Sequence, residues 1–132
     1  MDFSQSIKNY FYKWNDFSSR IPRSEYWFGY LGMMLITLGF GFLIGFIGAA
    51  LGASPEVMNL LILPWQIFTF VASLALAARR LHDLNMSGWW QLISLTIIGI
   101  IPLLIWLCSK GTDESNRFGP NPLTSDIESM GV

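Results

Sequence analysis

A short window of the chain holds most of the chemistry it could perform. Arg79, Arg80, His82 and Asp83 stand directly after an uncharged apolar stretch. On a continuing helix Arg79 and Asp83 fall at i and i+4, within pairing distance. Two arginines at a helix C-terminus also complement its dipole. Paired guanidiniums suit bidentate contacts to phosphate, so the group is a candidate for lipid headgroups. His82 could serve as an acid or base with Asp83 as its partner, or as a pH sensor. Adjacent residues do not face each other on a helix, which counts against the catalytic pair. Arg20, Arg23 and Glu25 form a second polar group just ahead of the first apolar stretch. The plainest role of both groups is to anchor the topology and to pair with each other.

Other chemistries are narrowed by residue type. His82 is the single histidine and Cys108 the single cysteine, so a multi-histidine metal site, a cysteine cluster and an intramolecular disulfide are excluded. No metal or cofactor is expected. Cys108 ends an apolar run, where it reads as a small hydrophobe. No activated serine or cysteine nucleophile is evident. Ser87, Gly88, Trp89 and Trp90 follow the first group; Gly88 permits a turn and the tryptophans suit an interface anchor, a cation–π cage being the rarer use. A net charge of −1 offers no global basic field for nucleic acid.

The elements that must position these residues are apolar. Of the 132 residues, 52% are hydrophobic and 13% charged, against about 25% charged in soluble domains. Three stretches carry no charge: Tyr26 to Leu51, Leu60 to Ala78 and Trp89 to Cys108. A helix needs about 20 apolar residues to cross a hydrocarbon core. Strands are excluded by run length and by the unsatisfied edge they would expose to lipid. The expected fold is therefore all-α, a single polytopic membrane domain over 1–122 with transmembrane segments at 26–51, 60–78 and 89–108. The last ten residues, 123–132, are expected to be a mobile tail.

Residues 1–20 read as a separate amphipathic helix. Phe3, Ile7, Tyr10, Trp14 and Phe17 fall along one face, and Asp2 with Gln5 suits its N-terminus. Aromatic residues flanked by lysines suit a helix lying in the membrane interface; packing on the protein's own bundle is the alternative. Trp14, Trp27, Trp89 and Trp90 are the expected interface anchors. Gly41 and Gly45, and Gly48 and Gly52, form two G-x-x-x-G pairs that suit close helix packing, within the chain or in a homo-oligomer.

Charge and length disagree about the third stretch. Lys8, Lys13, Arg20 and Arg23 precede the first stretch, Arg79 and Arg80 lie in the second loop, and Lys110 and Arg117 follow the third. With three crossings the N-terminus is cytoplasmic and the C-terminus is not. Gly99 and Pro102 weaken the third helix at its middle, which allows two half-helices returning to one side. All basic residues would then be cytoplasmic. Length favours the crossing, which is the working expectation. The spans themselves carry no ionisable group, which argues against a pump or coupled transporter.

Three motifs resemble the DUF805 family of small bacterial inner-membrane proteins. They are Phe17, Arg20, Arg23, Glu25, Tyr26 and Trp27; Arg79-Arg80-Leu81-His82-Asp83 with Ser87-Gly88-Trp89-Trp90; and Gly111 with Asn116-Arg117-Phe118-Gly119-Pro120 and Pro122. Ser19 and Leu84-Asn85 depart from that pattern, where glycine and Thr-Gly are common. The resemblance implies a multi-pass location in the bacterial inner membrane and no reaction. It adds Asn116 and Arg117 to the candidate site. The expected function is non-enzymatic: an arginine-rich interfacial site binding membrane lipid headgroups or a protein partner. A lipid-modifying enzyme using His82 and Asp83, and an oligomeric channel or transporter component, are the alternatives.

Overall fold

A computed structural model describes residues 2–124. Helix α1 spans Phe3–Tyr12, α2 Arg23–Leu51, α3 Pro55–Asp83 and α4 Ile97–Cys108, with a 3₁₀ segment, Gly88–Leu95, between α3 and α4. The expected tail, 123–132, falls outside the described residues from 125 onward.

Helices α2 and α3 form an antiparallel pair of 29 residues each. Gly52, at φ 68°, closes α2 in the left-handed conformation, and the Ser54 side chain caps α3 ahead of Pro55. At 1.5 Å per residue each helix is about 44 Å long, longer than the hydrocarbon core. The most apolar 18-residue windows are only 6% and 17% buried, so neither is the core helix of a soluble fold. Burial instead collects at one end: Glu25 to Met33 of α2 and Ala72 to Asp83 of α3.

The amphipathic segment is shorter than expected, ending at Tyr12, and Trp14 and Phe17 follow in non-helical chain. Asp2 caps it by accepting from Gln5 N at 2.7 Å. Its inner face crosses both long helices. Phe3 meets Phe28 edge to face, and Ile7 lies so close to Gly32 that a Cβ there would stand 2.5 Å from its side chain. Further along, the buried Tyr10 donates to Thr69 O at 3.1 Å and contacts Ser73 Oγ at 2.9 Å. Trp14, past the helix end, sits 6.1 Å from the Phe68 ring.

The third apolar stretch is not one helix. The 3₁₀ segment gives way to α4 at Thr96, which is extended at φ −98°, ψ 139°. The break therefore lies at Thr96 rather than at Gly99 or Pro102. Pro102 continues inside α4, and Gly99 sits in its first turn. Polar atoms at the reversal are met locally: Thr96 Oγ1 donates to Ile93 O at 2.8 Å and accepts from Gly99 N at 3.1 Å, and Ser94 Oγ donates to Gln91 O at 2.8 Å. Ile97 beside the reversal is 87% exposed. The stretch begins with Gly88 against Ala78 and His82 and ends with Leu107 O on Arg80, so both its ends lie at the C-terminal end of α3.

The G-x-x-x-G rows are used unevenly. Gly48 lies against Met58, whereas Gly41, Gly45 and Gly52 have open space where a Cβ would be. A Cβ on Gly99 would collide with the backbone carbonyl of Ile93. Gly99→Ala is expected to lower stability by about 1–3 kcal/mol, the usual cost of overpacking, measured by thermal unfolding in detergent. Gly41→Ala should change it by less than about 0.5 kcal/mol, the scale of surface substitutions.

Candidate functional site

The two polar groups read from sequence meet at the C-terminal end of α3. The turn Ser19–Arg20–Ile21, ahead of α2, lies along the last turn of α3, with Ile21 N donating to Arg79 O at 3.3 Å. The Asp83 carboxylate is their joint. Arg20 Nε donates to Asp83 Oδ1 at 2.8 Å, and Arg80 pairs with Asp83 Oδ2 at 2.5 Å. Asp83 therefore pairs with the i−3 arginine and with Arg20, not with Arg79 as the i,i+4 spacing suggested. Asp83 and His82 point to different partners, Asp83 to Arg20 and Arg80 and His82 to Ser19 O.

Both guanidiniums spend their remaining protons on backbone carbonyls. Arg20 donates to Thr112 O at 2.8 Å, Glu114 O at 3.0 Å and Gly119 O at 3.2 Å. Arg80 donates to Leu107 O at 3.1 Å and Ile21 O at 3.3 Å, and also to Ser109 O. Apart from Ile21 O, in the turn before α2, these are carbonyls at the end of α4, which a helix terminus leaves without partners, and in the loop after it. Arg80 is 0% exposed and Asp83 5%. Such arginines are fully engaged inside the protein and have no fork left for a phosphate.

The loop after α4 is fitted to this cluster. Thr112 N donates to Asp83 O at 2.8 Å. Gly111 lies so close to the Asp83 carboxylate that a Cβ would collide with it. Asn116 Nδ2 donates to His82 O and to Thr112 Oγ1, both at 2.9 Å, while its Oδ1 accepts from Phe118 N. Phe118 stacks on the His82 ring at 3.8 Å with planes 5° apart, and the Arg117 guanidinium lies 4.8 Å from the centroid of the Phe118 ring. Asn116 and Arg117, implied only by the resemblance, are thus brought to the cluster. The residues missed from sequence are Asp16, Ser19 and Thr112; Phe118 stood in the motif that carries the resemblance. Nothing in the periodicity marked them, because their role depends on where a loop folds back.

His82 is held by that loop and by the turn before α2. Its Nδ1 lies 2.9 Å from Ser19 O. Ser19 is in turn fixed by Asp16, whose carboxylate accepts from Ser19 Oγ at 2.5 Å and from Ser18 N at 3.0 Å. Burial pushes the Asp16 carboxyl upward, but these hydrogen bonds outweigh it and hold the group well below the usual carboxylate range.

Arg79 and Glu25 are buried differently. Arg79 is 0% exposed, its Nε donates to Ala75 O at 3.4 Å, and its two terminal nitrogens have no hydrogen-bond partner among the described residues. Glu25, also buried, accepts from Asn9 Nδ2 at 3.0 Å. Arg23 is exposed and reaches Cys108 O at 3.3 Å. Of the tryptophans, Trp27 is half-buried, and Trp14, Trp89 and Trp90 are exposed.

Residues 14–120 match a family model described as a protein of unknown function, DUF805. The chain is 39% identical over 117 residues to inner membrane protein YhaI of Escherichia coli (strain K12), covering 88% of this chain and 90% of the relative. It is 35% identical over 120 residues to inner membrane protein YhaH of the same strain, covering 88% and 91%. No solved structure matches.

The geometry sets an order of costs. Asp83→Asn leaves two buried guanidiniums without their anion, and should destabilise the protein by about 3–5 kcal/mol. Arg79→Met, which deletes a charge with unmet terminal nitrogens, should cost less than Arg80→Met. Denaturant unfolding of the three variants checks both; equal losses for Arg79→Met and Arg80→Met would contradict the assignment.

Proposed function

Since the chain belongs to the DUF805 family, whose relatives here are inner-membrane proteins, we propose that it is a non-catalytic lipid-binding protein of that membrane. In this reading α2 and α3 cross the bilayer, and the 3₁₀ segment with α4 forms a hairpin that enters one leaflet and returns. The observation that carries it is that both ends of the third apolar stretch meet α3 at the same level, Gly88 at Ala78 and Leu107 at Arg80. A 12-residue helix is about 18 Å long, too short to cross about 30 Å of hydrocarbon. The exposed apolar reversal around Ile97 then faces acyl chains, with its polar backbone atoms met by Thr96 and Ser94.

This arrangement puts every lysine and arginine at the cytoplasmic side, as the positive-inside tendency favours. Helix α1 then lies at the bilayer boundary, with Lys8 and Gln5 outward and Tyr10 inward. The residues that meet headgroups are not the buried arginines of the cluster but the exposed cations around it. Lys13 borders a cavity of about 260 Å³ between α1, the start of α2 and Pro120. Arg23, at the start of α2, and Arg117, in the loop after α4, stand exposed. A juxtamembrane cation contributes about 1 kcal/mol toward an anionic surface.

A reporter fused after Val132 should be cytoplasmic; a periplasmic reporter would remove the hairpin reading. Lys13→Ala, Arg23→Ala and Arg117→Ala together should lower retention of anionic lipid in native mass spectrometry, by roughly fivefold for each charge removed. Unchanged retention would remove the headgroup role.

A further inference from the structure

His82 has a second nitrogen that the cluster does not use. The ring is 5% exposed, stacked on Phe118, and Nδ1 faces a carbonyl oxygen, Ser19 O. A carbonyl accepts, so the proton of the neutral imidazole sits on Nδ1 and Nε2 is left as an acceptor. Nε2 has no hydrogen-bond partner among the described residues and is directed toward Gly88, where an added Cβ would stand 3.6 Å from it. That side is not filled. His82, Gly88, Leu74, Phe17, Trp89 and Leu92 line a cavity of about 360 Å³ between α3 and the 3₁₀ segment. This is within the size range of small-ligand sites.

The lining selects its occupant. Its walls are mostly apolar and include no lysine, arginine or carboxylate, so neither a phosphate nor an amine headgroup finds a counter-charge. Ser87 and Gln91 also line the cavity, but Ser87 Oγ accepts from Trp89 N and Gln91 Nε2 donates to Leu74 O, whereas His82 Nε2 is an acceptor without a partner among the described residues and calls for a donor. The outer wall, Trp89 and Leu92, is exposed and continuous with the apolar surface of the 3₁₀ segment, so on the proposed hairpin placement, on which this inference rests, the entrance faces acyl chains. We propose that this cavity binds a neutral membrane lipid through a free hydroxyl, the O–H donating to His82 Nε2 and the chain lying along Leu74 and Leu92. Gly88 is the positioning residue: a Cβ there would stand 2.7 Å from Ala78 Cβ, so only glycine lets the 3₁₀ segment close over α3 and form the wall.

Two kinds of lipid offer this chemistry, a glyceride and an isoprenoid alcohol or hydroquinone. Because His82 is the single histidine, ¹⁵N-histidine labelling gives one imidazole whose Nε2 resonance reports directly on the site. The labelled full chain in nanodiscs of zwitterionic lipid would be titrated with dioctanoylglycerol, with farnesol, and with the matching alkane. A saturable upfield shift of Nε2 with either hydroxyl compound is expected, and the tighter of the two names the source. The alkane should bind about tenfold more weakly and leave Nε2 unshifted. Leu92→Trp, at a half-exposed position that tolerates size, should fill the cavity and abolish the shift while leaving the Nδ1 resonance in place. An unmoved Nε2 in all titrations, or an equal response to the alkane, would overturn the proposal. Dioctanoyl phosphatidic acid binding more tightly than the glyceride would overturn it as well, and would do so whatever the outcome for the headgroup cations.

Discussion

The Asp83 carboxylate joins three parts of the chain that are far apart in sequence. Arg20 comes from the turn before α2, Arg80 from α3, and the carbonyls that complete both guanidiniums come from the end of α4 and the loop behind it. A buried ion pair is weak evidence for stability in itself, since desolvation opposes the Coulombic gain. Here each arginine also meets several carbonyls that would otherwise be buried without donors, and an unmet buried carbonyl carries its own desolvation penalty. The cluster therefore selects one arrangement of the chain. An apolar replacement of similar volume would fill the space and leave the carbonyls at the end of α4 without partners.

Apolar packing could not perform that selection. Between two helices in lipid there is little hydrophobic force, because acyl chains are as apolar as leucine. Accordingly the outer parts of α2 and α3 meet through few side-chain devices, among them Gly48 against Met58 and the Trp65 indole donating to Thr37 at 3.2 Å. The ordering contacts are gathered at the other end, where α1 lies across both helices and Tyr10 is held between Thr69 and Ser73. Position in the fold explains the unusual density of buried charge: it lies where the chain leaves the apolar segments.

Much of this was legible in the residues. Uncharged run length gave the two long helices, and the two polar groups were expected to pair with each other, as Arg20 and Asp83 do. Local spacing failed for partner choice. The i,i+4 rule pairs Arg79 with Asp83, but the geometry at the helix end turns Asp83 toward Arg80 and Arg20, and Arg79 runs back toward Ala75. Such choices depend on loops, and Ser19, Gly111, Thr112 and Phe118 carry no periodic signal. A single crossing was the working expectation for the third stretch, with a break at the helix-weakening residues Gly99 and Pro102 as its alternative. The break falls instead at Thr96, because a reversal in apolar surroundings needs a side chain that can both donate and accept. Glycine permits such a turn but cannot satisfy it.

The same partners bear on the course of the third stretch. If residues 89–108 crossed the bilayer, Leu107 O and Ser109 O would be carried about 30 Å from Arg80. Arg80 would then keep only Asp83 and Ile21 O, and Arg20 would lose Thr112 O, Glu114 O and Gly119 O. Several buried N–H groups would be left without acceptors, each at about 1–3 kcal/mol. Against this stands the gain from placing Ile97, Ile98 and Ile101 deeper in lipid, residues that the proposed hairpin would also turn toward acyl chains at its reversal. The balance favours return. Charge distribution, which at the level of sequence competed with length, and the hydrogen bonding of Arg20 and Arg80 then favour the same topology for independent reasons.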